Sequence, residues 1–332
     1  MAADRDRLYY RPIALGDGLP LAGGPLRFAR LQVLERGRAP RVIAAEAAPE
    51  VALRALTEAR KPLAGLPQDR PAVMGILNVT PDSFSDGGRN HAPEAAQAAA
   101  RAMAAAGADI LDIGAESTRP GAAPVSLEEE LARLGGVLPA LDGLCWSMDT
   151  RKAAVMAAAL DAGAAMINDV SALAYDDAAP GLAAARGCPV VLMHAQGTPE
   201  TMQVAPHYED ALLDVFDWLA DRIAACEAAG IARAHIVADP GIGFGKALEH
   251  NLSLLRGLTL LHGLGVPLLL GASRKALIGR LAGGAGASVA PEQRLPGSLA
   301  LALHGAACGV QMVRVHDVAE TVQALRLWKA VV

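Results

Sequence analysis

VMGILNV (73–79), EAAQAAARAMAAAG (94–107) and ADILDIGA (108–115) follow one another along the chain, and this one unit decides the fold. Two short apolar runs flank an Ala-rich stretch long enough for three to four helical turns. The runs are continuous rather than alternating, which marks parallel strands covered on both faces. Working outward, the rhythm repeats through LCWSMDT (144–150), AMINDVS (165–171), CPVVLMHA (188–195), AHIVADPG (234–241), PLLLGAS (267–273) and VQMVRVHD (310–317). Between them lie helical patterns such as RKAAVMAAALDAG (151–163) and YEDALLDVFDWLADRIAACEAAG (208–230), and VAETVQALRLWKAV (318–331) closes the series. Eight strand–helix units in about 260 residues predict an α/β protein built as a (β/α)8 TIM barrel. A doubly wound open sheet is the rival reading, but it rarely needs eight strictly alternating units.

The first 70 residues read differently, and an N-terminal extension of unassigned role is expected over 1–70, with the barrel over 71–332. The extension holds Gly/Pro punctuation (GDGLPLAGGP), one alternating stretch (LRFARLQVLERG) and a helical segment around 47–61. KPLAGLPQDRP (61–71), with three prolines, reads as a linker ending near Pro71. Composition removes whole function classes. Of 332 residues, 52% are hydrophobic and 20% charged, which excludes intrinsic disorder. A net charge of −5 and 3% aromatics speak against nucleic-acid binding by phosphate tracking or base stacking. Cys145, Cys188, Cys226 and Cys308 are scattered without a C-x-x-C pair, neither a zinc framework nor a disulfide scaffold. The charged start MAADRDRLYY is unlike a signal peptide, and no apolar run is long enough to span a membrane. A cytoplasmic protein without membrane or nucleic-acid partners is expected.

Barrel chemistry belongs at the C-terminal ends of the strands. Unusual polar residues gather at those ends: Asn78, Asp149, Asn168 with Asp169, His194, Asp239, Ser273-Arg274-Lys275, and Arg314 through Asp317. Any one acid or amide there is more often the N-cap of the next helix. Seven of eight strand ends mixing acids, amides and bases is better explained by a pocket. Three loops add detail. NVTPDSFSDGG (78–88) reads either as a plain surface turn or as a lid centred on Phe84. ESTRPG (116–121) carries Thr118 and Arg119, an arginine able to clamp a carboxylate or phosphate. DPGIGFGK (239–246) invites a nucleotide-loop reading that fails on spacing, with Pro240 and Ala247 where Gly and Ser/Thr are required. Its glycines are expected to shape a tight turn behind Asp239.

NVTPDSFSDGG, ESTRPG, SMDT, INDVS, DPGIGFGK, GASRK and GSLALALHGAACGVQMVRVHDV, in that order, resemble the dihydropteroate synthase family of the folate pathway. The resemblance runs from about residue 73 to the C-terminus and carries nothing to the first 70 residues. It implies a (β/α)8 barrel, a reaction joining 6-hydroxymethyl-7,8-dihydropterin diphosphate to 4-aminobenzoate, Mg²⁺, and a homodimer. The residues suit that substrate. A pterin presents a guanidine-like edge, so Asp239 is the natural anchor. Asn168 can read the adjoining edge, Asp149 a further ring or amino N–H, and Lys275 the carbonyl side. Met193 and Phe244 can wall the ring, although a Met at a strand end is as often core filling. Arg314 and His316 would serve the diphosphate, and Asn78 would offer Mg²⁺ an oxygen.

The resemblance further implies loss of diphosphate with cation character at the pterin methylene, then attack by the arylamine. Electrostatic stabilisation and exclusion of water then matter more than a strong base. Asp86 would face the developing cation, Phe84 would help close the 4-aminobenzoate site, and Thr118 and Arg119 would lie nearby. Asp86, Lys275 and Arg314 are therefore the catalytic candidates. One position departs from the family pattern: Ala276 stands where serine usually follows the lysine, so weakened aryl binding is the expected consequence. Two other readings compete with this one. The pterin-binding barrel of a cobalamin-dependent methyltransferase needs neither the diphosphate site nor the first loop. A non-catalytic pterin-binding paralogue should show damage in the loops or in RVHD, and only Ala276 departs.

Overall fold

The computed structural model describes residues 7–13, 16–79, 92–117, 122–198, 201–284 and 287–331. Before the barrel, β1 (Tyr9–Ile13), β4 (Arg30–Leu34) and β5 (Arg41–Ala44) form an antiparallel sheet in the order β1-β4-β5. A small hairpin of β2 (Leu19–Pro20) and β3 (Arg27–Phe28) and the helix α1 (Glu50–Thr57) complete the extension. The alternating stretch read from sequence is β3 and β4, whose Phe28, Leu31 and Val33 are buried. The helix is shorter than its pattern: it stops at Thr57, and Arg60 folds under to donate to the carbonyls of Ala55, Glu58 and His262. The extension is not a free appendage. Tyr9 joins the barrel's main core, and Arg7, Tyr9 and Arg36 all bind Asp217.

The barrel begins with β6 (Ala72–Asn78) and α2 (Ala92–Ala105), then β7 (Ile110–Gly114) and α3 (Leu127–Gly135). It continues with β8 (Trp146–Asp149), α4 (Ala153–Asp161), β9 (Met166–Asp169), α5 (Ala179–Arg186), β10 (Val190–Met193) and α6 (Ala211–Ala228). It ends with β11 (Ile236–Asp239), α7 (Leu248–Arg256), β12 (Leu269–Leu270), α8 (Ala276–Ala282), α9 (Leu295–Ala307), β13 (Met312–Val315) and α10 (Val318–Val331). The strands are parallel in the order β11-β10-β9-β8-β7-β6-β13-β12. A parallel bridge between Ala238 and Leu268, with the Ala238 N–H donating to the Pro267 carbonyl (2.9 Å), brings β11 against the β12 segment. The open-sheet rival therefore fails and the barrel closes. Local signals set several helix starts: Asp210 accepts from the N–H groups of Leu212 and Leu213, and Ser126 from Glu129.

Strand periodicity sorts the side chains into two cores. Val73, Leu111, Trp146, Ile167, Val190, Ile236 and Val313 pack against the helices in the main core. Met74, Ile110, Met166, Val191, Val237, Leu269 and Met312 form a second cluster that fills the lumen near the strands' N-terminal ends. Two residues further along β7, β9, β11 and β13, on the same face and about 7 Å higher, stand Asp112, Asn168, Asp239 and Arg314.

Candidate active site

Register alone assembles the first row. Asn78 pairs with Gly114, Gly114 with Asp149, and Asp149 with Asn168, so the four lie side by side across β6 to β9. Gly114 adds no side chain to this row, and a Cβ there would meet Asp149 and the Asn78 amide oxygen at ordinary contact distances of 3.5–3.7 Å. Met193 pairs with Asp239 in the same way on β10 and β11. The C-terminal mouth thus gathers Asn78, Asp149, Asn168, Met193 and Asp239 with Lys275, Phe244, Arg314 and His316. Phe84, Asp86, Thr118 and Arg119 lie outside the described residues.

Arg314 crosses the lumen instead of standing at its rim. Its Nε donates to Asp112 (2.6 Å) and its Nη2 to Asp149 (2.8 Å). Asp112 is fully buried and also accepts from Asn168 Nδ2 (2.9 Å) and Ser147 Oγ (2.7 Å). Sequence reading missed Asp112. Its only signal is an acid inside an apolar strand, two positions after Ile110, where the alternation points it into the barrel. Burial raises Asp149 to about 7, with Arg314 lowering it and Asp112 raising it again. Burial likewise raises Asp239, against the opposing pull of the Gly241 N–H and of Lys275. Gly241 N–H binds Asp239 Oδ1 (2.7 Å), while Oδ2 faces Gly271, where a Cβ would stand 3.6 Å away. One carboxylate oxygen is thus fixed and the other looks onto space that a larger residue would fill.

Phe244 and Lys275 meet directly, with Nζ 3.9 Å from the ring centroid, a cation–π contact. His316 Nδ1 lies 3.0 Å from Ser273 Oγ. Burial and the charges of Arg274 and Arg314 push His316 down to about 4, so at neutral pH it brings a ring N–H rather than charge. The positive charge near that strand end comes from Arg314 and Lys275. Neighbouring Arg274 turns away to pair with Asp317. Asp169 also faces away: its carboxylate accepts from the N–H groups of Ser171 and Leu173 and turns the loop after β9, while the next helix, α5, starts only at Ala179, so this is a loop-shaping role and not an N-cap. Ala276 is exposed as the first residue of α8.

Two supports beneath the site were not legible in the sequence. Lys246, 3% exposed, donates to the carbonyls of His194, Gly241 and Phe244 and contacts His194 Nδ1 at 2.8 Å. Burial pushes Lys246 down to about 7 and His194 well below its usual range, so a neutral imidazole accepts from the lysine. The loop can be clamped this tightly because of its glycines. A Cβ at Gly241 would lie 1.9 Å from the His194 carbonyl oxygen, and one at Gly245 2.3 Å from that of Gln196. The tight turn expected behind Asp239 is present. Just past the end of β7, Glu116 binds Arg151 (2.8 Å) and Lys152 (2.7 Å), and Lys152 also binds Glu130 (2.6 Å). Burial would raise Glu116, but Lys152 and Arg151 lower it overall, so its carboxylate stays charged.

Buried acids, an amide and confined cations gather at the C-terminal mouth of a closed parallel barrel, the place where barrel enzymes bind their substrates. The pterin-binding enzyme model matches residues 74–316. Dihydropteroate synthase of Escherichia coli (strain K12) is 49% identical over 266 residues, covering 78% of this chain and 91% of that protein. A solved Xanthomonas albilineans dihydropteroate synthase with 4-aminobenzoic acid is 51% identical, with a TM-score of 0.73, covering 79% and 93% of the two chains. Another structure of the Xanthomonas albilineans enzyme, in complex with 7,8-dihydropteroate, is 48% identical with a TM-score of 0.71, covering 80% and 95%. The chain belongs to the pterin-binding enzyme family, among its dihydropteroate synthases.

Proposed function

We infer that the protein condenses 6-hydroxymethyl-7,8-dihydropterin diphosphate with 4-aminobenzoate, giving 7,8-dihydropteroate and diphosphate. The observation that carries this reading is the pairing of a half-satisfied buried carboxylate, Asp239, with Asn168 and Asp149 above an apolar plug. Asp239 Oδ2 accepts from the pterin's guanidine-like edge. Asn168, held by Asp112 through one N–H, keeps its carbonyl oxygen for the ring. Asp149, near neutrality, accepts from a ring N–H, and Lys275 donates to the carbonyl side. Met193 and Phe244 border the ring. The C–O bond from the methylene to diphosphate breaks, diphosphate keeps the electron pair, and the arylamine nitrogen forms the new C–N bond and sheds a proton. Arg314, poised between Asp112 and Asp149, and Lys275 stabilise the departing charge. Asp86 is proposed to face the methylene cation. Phe84, Thr118 and Arg119 are proposed to line the 4-aminobenzoate site.

Mg²⁺ belongs to this reading as the ion that neutralises diphosphate. The donor set fits an ion arriving with phosphate, which takes one or two protein oxygens and fills the rest with water and phosphate. No cluster of three or more His, Cys, Asp or Glu able to hold a metal occurs among the described residues. The half-buried Asn78 side chain makes no hydrogen bond among them either, so its amide oxygen is available. A homodimer is also proposed, with exposed Leu327 and Val331 of α10 open to a partner, and light scattering would test it. A cytoplasmic location is supported by four free cysteines. Among the described residues no helix is long and apolar enough to cross a membrane. The deciding experiment is a coupled assay of diphosphate release from the pterin diphosphate with and without 4-aminobenzoate. Release that requires both substrates is expected, and release indifferent to 4-aminobenzoate would overturn the reading.

A further inference from the structure

The opposite end of the barrel holds a cavity of about 90 Å³ between the extension and the strands' N-terminal ends. Leu26, Leu63, Leu66, Pro267, Met312 and Trp328 supply apolar walls, and Arg60 and Lys61 are the cations lining it that lack a carboxylate. The other charged lining residues are already matched, Asp69 by Lys329 and Arg70 by Asp109. Arg60 differs. It is 9% exposed, holds only the carbonyls of Ala55, Glu58 and His262, and leaves its buried Nε without a partner. Among the described residues no carboxylate lies within 4.0 Å of it, and exposed Lys61 at the rim makes no hydrogen bond or ion pair. A buried cation with no carboxylate in contact is unfavourable; the carbonyl dipoles and the more distant, exposed Glu58 offset that only in part. Burial lowers Arg60 to about 10, which still leaves it charged at neutral pH.

We propose that this cavity is a second binding site, for a small amphipathic carboxylate whose compact apolar body enters the cavity while its carboxylate meets Arg60 and Lys61. The volume limits the body. A cavity of roughly 150 Å³ accepts benzene, so this smaller one suits a branched chain of about four carbons. The site is separate from the reaction centre, which lies at the other end of the strands.

The protein carries three tryptophans, Trp146, Trp218 and Trp328, of which Trp328 alone lines the cavity. Protein labelled with 5-fluorotryptophan is titrated with 3-methylbutanoate and, separately, with neutral 3-methylbutanamide, following the fluorine signals. A saturable shift confined to the Trp328 signal is expected for the acid, with the amide weaker by about tenfold. Arg60→Leu should abolish the shift. Because Arg60 also caps three carbonyls and its loss endangers folding, Lys61→Glu provides the second variant. Lys61→Glu changes only an exposed, unpaired side chain, and it should weaken the acid severalfold. Absence of saturation, a shift centred on Trp146 or Trp218, equal affinity for acid and amide, or indifference to Lys61→Glu would each overturn the proposal.

Discussion

The same eight strands end in two different chemistries. Toward their N-termini the lumen is filled by Met74, Ile110, Met166, Val191, Val237, Leu269 and Met312. Two residues on, the same lumen face carries Asp112, Asp149, Asn168, Met193, Asp239 and Arg314. Ile110 and Asp112, or Val237 and Asp239, are neighbours on one face, yet one gains from burial and the other is penalised by it. The lower layer excludes water and gives the barrel its stability. The upper layer holds partly neutralised acids and confined cations, an arrangement unfavourable for folding and useful for gripping a polar ring. Stability and function are thus separated along a strand by about 7 Å.

Breaking the upper layer should have the largest effect where a charge is left alone. Arg314→Met strands Asp112 and Asp149 as a buried acid pair, and about 3–5 kcal/mol of stability should vanish, measured by urea unfolding at neutral pH. A loss below about 1 kcal/mol would mean the pair simply takes up a proton without strain. Ile110→Ala in the lower layer should cost about 2–5 kcal/mol through the void it leaves. In that variant, pterin affinity should hold, which calorimetry on the folded protein can check. Asp239→Asn should do the reverse. The fold should survive, because burial already penalises the charge on Asp239 and the amide removes it, while pterin affinity should fall by about 10- to 100-fold as one acceptor becomes a clashing donor. Near-normal affinity would remove Asp239 from the anchor role.

The smallest effect is a slope. The native state keeps Asp149 protonated up to about 7, whereas an unfolded chain releases that proton near 3.8. Between those values the native state binds more protons, so this group makes stability fall as pH rises. His316, pushed down to about 4 from 6.5, acts with the opposite sign below 6.5 and is unchanged in the variant. Asp149→Asn should therefore show a flatter decline in unfolding free energy between about pH 4 and 7, by no more than about 1.4 kcal/mol per pH unit. Parallel profiles for variant and wild type would show that Asp149 does not carry a raised pKa.

Much of this was readable beforehand, and the exceptions share a cause. The strand–helix rhythm and the polar strand ends are local patterns, and they led to Asp149, Asn168, Asp239, Lys275 and Arg314. Asp112 escaped because it lies inside an apolar run, and its importance comes from Arg314, 202 residues away. Lys246 closes the DPGIGFGK stretch without any pattern that marks it as a buried clamp. Its clamp on His194 depends on a loop fold that the spacing does not announce. In the extension, β1 was not read, since Tyr9–Ile13 becomes a strand only by pairing with Arg30–Leu34. PLLLGAS shortens to the two-residue β12, because the Leu268 N–H is taken by the Gln311 side chain instead of a neighbouring strand.

By itself the sequence determined the number and order of the strand–helix units, the polar residues that end the strands, and the family whose motifs they compose. Those features follow from periodicity and residue chemistry within a few turns of chain. Only the tertiary structure decided which charge answers which, that Arg314 spans two acids while His316 stays neutral, and that Arg60 has no carboxylate in contact beside a cavity. Partnership and protonation depend on distance and burial, and both are set by segments far apart in the chain that meet only when the barrel closes.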